Sequence, residues 1–187
     1  LLEQVDRDDS VRAVIVTGEG RAFCAGAVLS TGGTTFNSDA HGETAGLDAH
    51  RDGGGRVTLA IHRCRKPVIA AIAGHAVAGG LELALWCDLR VVERDAIMGV
   101  FCRRWGVPLS EGGTVRLPRI SGLGRALDLV LTGRPVDADE ALAMGLANRV
   151  VEVGEARAAA EALARSGSDE SAPATRVARL SSTAAVQ

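Results

Sequence analysis

Apolar positions along the chain fall into two rhythms. Unbroken small or β-branched runs, "VRAVIVTG" (Val11 to Gly18) and "KPVIAAIAG" (Lys66 to Gly74), predict strands buried on both faces. Pro67 stands near the start of the second run, where a missing N–H is tolerated. "DLRVVER" and "ANRVVEV" predict a third and a fourth strand. Between them apolar residues recur at helical spacing. Val57, Ile61 and Cys64 do so in "VTLAIHRCR", and "GGLELALWC", "GGTVRLPRI", "GLGRALDLVLTG" and "DADEALAMGL" follow as further helices. Asp137 reads as the N-cap of the last of these, with Glu140 three residues on to complete a capping box. "EARAAAEALARSG" predicts an alanine-rich helix ending at Gly167. Leu1, Leu2 and Val5 read as the tail of an amphipathic helix, so the chain is expected to begin inside an element. Strands alternating with helices predict an α/β domain with a mostly parallel sheet.

Two stretches carry neither rhythm. Ser30 to Arg56 is rich in turn formers and predicts a long loop or a frayed short helix. Ser168 to Gln187 is polar, and no internal repeat relates any part of the chain to another.

Composition narrows the function classes. At 187 residues and 47% hydrophobic content, the chain is long enough to bury a core and too apolar for a disordered segment. A net charge of −2 gives no basic field for nucleic acid, and no apolar run approaches the ~20 residues of a membrane span. Cys24, Cys64, Cys87 and Cys102 form no C-x-x-C pair, and His41, His50, His62 and His75 have no H-x-x-x-H spacing. The cysteines are expected to be reduced and buried in a cytosolic protein, with no metal site.

Candidate chemistry lies at two glycine turns. "FCAGA" (Phe23 to Ala27) has no bulky side chain after Phe23, and "AVAGG" heads a helix whose first turn carries Glu82. Such turns let something approach the backbone closely, and a helix start favours a negative partner. Two N–H groups converging on one oxygen make an oxyanion hole, where losing one donor costs about 3–4 kcal/mol of transition-state stabilisation. The residues alone leave a second reading open: Gly79 and Gly80 allow close strand–helix packing. The Rossmann, P-loop and nucleophile-elbow spacings are all absent.

"AFCAGAVL", "KPVIAAIAGHAVAGGLELALWCDLRV" and the downstream "GGTVRLPRISG…LVLTGR…DADEALAMGLANRVV" together resemble the crotonase, or enoyl-CoA hydratase/isomerase, superfamily from about Val11 to Val151. The resemblance implies an α/β, crotonase-like ββα superhelix with a mostly parallel sheet and a helical C-terminal part. It divides the chain into a core over 1–165, with N-terminal strands expected to be missing, and the incomplete start of a helical, trimerising region over 166–187. It also implies acyl-CoA substrates, assembly as homotrimers or hexamers in the cytoplasm, and no cofactor, since coenzyme A belongs to the substrate. Carried over by position, the oxyanion donors are the N–H groups of Ala27 and Gly79. Arg21, Ala25, Gly26 and Gly80 fall in the CoA- and acyl-binding turns, although Arg21 reads equally as a solvated turn residue. Glu82, which by itself reads as a helix-capping charge, becomes a catalytic carboxylate.

The chain departs from the family pattern in two places. Cys102, after Phe101 in "MGVFCRRWGVPLSEGGT", stands where hydratases carry a second glutamate, and a packed thiol is its expected state. Val28 stands where an aspartate often follows the first donor. Glu111 is either a replacement carboxylate pointing into the site or a solvent-facing loop acid. Arg103 and Arg104 lie on opposite faces if their segment is extended, one of them within reach of Asp88 or a CoA phosphate. Trp105 reads as core or pocket wall. The expected activity is hydration of an enoyl-CoA. The alternatives are double-bond isomerisation by a single carboxylate and a catalytically weak acyl-CoA binder.

Overall fold

The unbroken apolar runs lie at the centre of a parallel sheet. A computed structural model of the chain describes residues 2–26, 56–166 and 176–182. Helix α1 (Leu2–Arg7) leads into β1 (Val11–Gly18), and α2 (Arg56–Arg63) leads into β2 (Val68–Ile72). With β4 (Leu89–Glu93), β6 (Arg149–Val151) and β7 (Arg176–Ser182) these strands form one sheet in the order β6-β4-β2-β1-β7, every pair parallel. The strands alternate between two apolar layers. Val14, Val16, Val68, Ala70, Ile72 and Val92 face the larger core, which also holds Leu81, Leu85, Met98 and Leu129. Ala13, Ile15, Ile69, Ala71 and Val91 face helix α7 (Ala156–Ser166), which presents Ala156, Ala160 and Ala164 at four-residue spacing. That small-residue stripe lets the helix lie close on the sheet.

The connections carry the site. After β2 the chain makes β3 (His75–Val77) and then α3 (Gly79–Trp86), all of whose residues after Gly79 are buried. A short β5 (Ile97–Gly99) pairs with β3 in a second, two-stranded sheet. Neither short strand was legible as a separate run, because each lies inside a longer apolar stretch whose rhythm it does not interrupt. A 3-10 helix (Phe101–Trp105) and a loop then lead to α4 (Gly113–Ser121), α5 (Leu123–Thr132) and α6 (Ala138–Met144). Arg90, 5% exposed, ties β4 to the turn before β6: its guanidinium donates to the carbonyls of Leu146 (2.7 Å) and Cys87 (2.8 Å).

Several expectations change. Residues 176–182 form a strand along β1, where a helical region was expected; pairing there satisfies backbone groups that β1 otherwise presents as a bare edge. Asp137 caps α6 by accepting the Glu140 N–H at 2.8 Å. The Glu140 carboxylate does not close the capping box and instead takes a two-pronged ion pair with Arg134 (2.7 and 2.8 Å), a charge-assisted geometry stronger than a bond to a neutral N–H. Arg103 and Arg104 are not splayed on an extended segment. Both reach the C-terminal end of α5, donating to the carbonyls of Leu131 (3.2 Å) and Gly133 (2.7 Å), while Asp88 accepts the Val68 N–H. Trp105 is neither core nor buried wall, being 71% exposed at the end of the 3-10 helix. Ala27, Val28, Gly167 and nearly all of the Ser30 to Arg56 stretch lie outside the described residues.

Candidate active site

The two glycine turns are brought into contact. Cys24 docks alongside β3: its N–H donates to the His75 carbonyl (3.0 Å), and its carbonyl accepts the Val77 N–H (3.1 Å). The turns approach too closely for a side chain at Gly80 or Gly26. A Cβ on Gly80 would stand 1.9 Å from the Cys24 carbonyl oxygen, and one on Gly26 would stand 2.9 Å from the Gly79 nitrogen. Gly26 also takes φ +89°, a conformation L side chains rarely adopt. Between β3 and α3, Ala78 is held at φ 53°, the one non-glycine with positive φ among the described residues. Backbone in sparsely populated regions stores about 1–3 kcal/mol and recurs at functional sites. The chain makes this bend so that α3 can begin at Gly79, whose N–H, as the first of the helix, has no intrahelical acceptor and none among the described residues. One predicted oxyanion donor, Gly79, therefore abuts the turn that leads to the other, Ala27.

One turn further along α3 lies the acid. Glu82 is 2% exposed, and its Oε1 accepts the N–H groups of Glu111 and Gly113, each at 2.8 Å. Gly113 is required there, since a Cβ would sit 2.9 Å from the Glu82 carboxylate. Burial pushes the Glu82 carboxyl above the usual carboxylate range. The two N–H bonds oppose that rise, and the neighbouring Glu111 charge adds to it. Trp86, four residues on and so on the same face of α3, donates its indole N–H to the Glu111 carbonyl. Helix α3 thus grips the loop before α4 at two points.

Glu111 is not a solvent-facing loop acid. It is half-buried, its main chain is fixed on Glu82 and Trp86, and its Oε2 accepts the Thr58 hydroxyl at 2.9 Å. The structure therefore brings Glu82 and Glu111 together, with Thr58 of α2 behind them. Cys102 is 6% exposed; burial and then the Glu82 charge raise its thiol, the opposite of what a nucleophile requires. All four cysteines are free. Gly80 is buried, Ala25 and Gly26 are half-buried, and Arg21 is exposed, while Trp105 lies away from solvent exclusion altogether. Sequence reasoning passed over Thr58 and Trp86. Trp86 had a signal in its four-residue spacing from Glu82; Thr58, 53 residues from its partner, had none. Among the described residues no three His, Cys, Asp or Glu side chains are placed to hold a metal ion, and no helix is long and apolar enough to cross a membrane.

A parallel sheet, two abutting glycine turns and a buried acid on the helix that leaves the second turn define a crotonase-fold protein. The chain belongs to the enoyl-CoA hydratase/isomerase family, which it matches over residues 1–185. It is 40% identical over 151 residues to the enoyl-CoA hydratase ACTT3 of Alternaria alternata, covering 81% of this chain and 49% of that protein. Among solved structures, DspI of Pseudomonas aeruginosa superposes with a TM-score of 0.74 at 40% identity, over 88% of this chain and 61% of the other. The enoyl-CoA hydratase of Bacillus anthracis superposes with the same TM-score at 35% identity, over 88% and 62%. The chain spans about half the length of the curated relatives it matches.

Proposed function

We propose that the protein is an enoyl-CoA hydratase, adding water across the conjugated double bond of an acyl-CoA thioester. The observation that carries this reading is the pairing of Glu82 with Glu111 next to the abutting glycine turns, because hydration moves two protons while charge develops on one oxygen. The N–H groups of Gly79 and Ala27 hold the thioester oxygen as it becomes an enolate. Glu82, whose carboxyl burial raises, is the group that delivers a proton to the α-carbon. Glu111 takes the proton released as water attacks the β-carbon, so the proton passes from one member of the pair to the other and their net charge is unchanged. Cys102 takes no part. Arg21, Ala25, Gly26 and Gly80 line the approach for the CoA and acyl groups, and no cofactor is needed beyond the CoA of the substrate. Assembly into homotrimers or hexamers is supported by the stripe of Leu123, Leu127 and Leu131 on α5, at 65%, 47% and 66% exposure, which invites a partner. A cytoplasmic location is supported by the four free thiols.

The test is hydration of crotonyl-CoA, followed as loss of the conjugated thioester's ultraviolet absorbance. Wild-type turnover of about 1 s⁻¹ or more is expected, falling at least about a hundredfold in Glu82→Gln and in Glu111→Gln. A Glu111→Gln enzyme at the wild-type rate would remove the second carboxylate, and movement of a 3-enoyl-CoA double bond would then be the reaction to assay. Binding without turnover of either substrate would mark an acyl-CoA binder.

A further inference from the structure

We propose that Thr58 is a positioning residue that aims the Glu111 carboxylate at the reacting atoms; this rests on the acid–base reading above. Main-chain bonds fix where Glu111 stands, through its N–H on Glu82 and its carbonyl under Trp86. They do not fix where its carboxylate points. Three side-chain torsions separate the anchored backbone from the carboxyl group, so its direction is set by the bonds that its own oxygens make. The Thr58 hydroxyl, 2.9 Å from Glu111 Oε2, supplies such a bond.

Three properties suit Thr58 to this task. It is 3% exposed, so water does not compete for its single hydroxyl proton. Its branched Cβ restricts χ1, so the donor is itself aimed. It also stands in the first turn of α2, an element unconnected in sequence to either acid, so the bond closes a triangle of α2, α3 and the loop before α4. In a helix a threonine hydroxyl commonly turns back to its own backbone; here it donates across to a carboxylate.

The experiment compares Thr58→Val, Thr58→Ser and Glu111→Gln with the double variant Thr58→Val/Glu111→Gln, measuring kcat and KM for crotonyl-CoA together with the thermal midpoint. Thr58→Val is expected to lower kcat about tenfold with KM unchanged within about twofold, as for a misaimed group rather than a damaged pocket. Thr58→Ser, which keeps the hydroxyl, is expected to recover the wild-type kcat within about threefold. In the Glu111→Gln background Thr58→Val is expected to have no further effect, since its action runs through that carboxylate. Should Thr58→Val unfold the protein, Thr58→Ala offers the same loss of the donor with less bulk, and Ser against Ala then carries the comparison. A wild-type kcat in Thr58→Val overturns the proposal, and so does an undiminished fall in the double variant. A wild-type rate in Glu111→Gln overturns the acid-pair reading itself, which the single Thr58 variants cannot do.

Discussion

The two halves of the candidate site are made of different material. Where the Cys24–Gly26 turn meets Ala78–Gly80, the proposed chemistry rests on main-chain N–H groups, and what matters is which side chains are missing. At the loop before α4 it rests on carboxylates, and what matters is which side chains can reach. The first kind of site is bound to its sequence positions, because the Cys24 carbonyl stands 1.9 Å from where any Cβ at position 80 would lie. The second kind can migrate, because a carboxylate on a flexible stem can arrive from more than one backbone position. Cys102 and Glu111, nine residues apart in the chain, illustrate this: the thiol is buried beside Glu82, and the acid comes from the far end of the loop.

The sharpest way to break the comparison is at the main-chain half, where adjacent glycines face opposite fates. Gly80→Ala places a methyl group on the Cys24 carbonyl, with no flexible side chain to yield, and must push the turns apart. A loss of about 3 kcal/mol or more is expected, lowering the thermal midpoint by several degrees and abolishing crotonyl-CoA turnover. Gly79→Ala meets only the Gly26 Cα at 3.4 Å, an ordinary contact, and is expected to fold with a midpoint near wild type. Equal midpoints for the two variants would refute the close approach of the turns.

This asymmetry also explains what was legible in the sequence. The four longer runs gave their strands, and the spacing of apolar residues gave the helices, because burial on two faces or on one leaves a direct periodic trace. The glycine turns were legible for the same steric reason that makes them irreplaceable. The partners of Glu111 were not. No local pattern joins Thr58 to a residue 53 positions later, and the short β3 and β5 are hidden within apolar stretches whose periodicity they do not alter. Arg103 and Arg104 were misread because an extended segment was assumed where Gly106, at φ +67°, ends a 3-10 helix and turns both side chains to the end of α5.

A smaller effect is expected from the pH dependence of the acid half. Burial raises the Glu82 carboxyl in the folded protein above its value in the unfolded chain. The folded state then holds that proton more tightly. The stability contributed by Glu82 is complete below the ordinary carboxylate range, and it is lost as pH rises from there through the raised folded value. Glu82→Gln has no such loss. Its thermal midpoint is expected to exceed that of wild type at about pH 8 and to converge with it towards about pH 4, the reference range of a free glutamate. Wild type gaining on the variant as pH rises would mean that the two N–H bonds outweigh burial and that Glu82 rests ionised, exchanging the proton roles proposed for the pair.

The smallest expected effect bears most directly on migration of the acid. If Glu111 supplies the second carboxylate, the Cys102 sulfur only fills space, and Cys102→Ala should change kcat by no more than about twofold while lowering stability by about 1 kcal/mol for the lost packing. The same raised thiol should be slow to alkylate at neutral pH in the folded protein, because the thiolate is the reactive form and both burial and the Glu82 charge disfavour it. A Cys102→Ala variant as inactive as Glu111→Gln would return the chemistry to the 3-10 helix and leave the loop acid a structural neighbour. A normal rate in Cys102→Ala beside a dead Glu111→Gln would show that this chain keeps the main-chain half of the site in place and rebuilds the carboxylate half from a different residue.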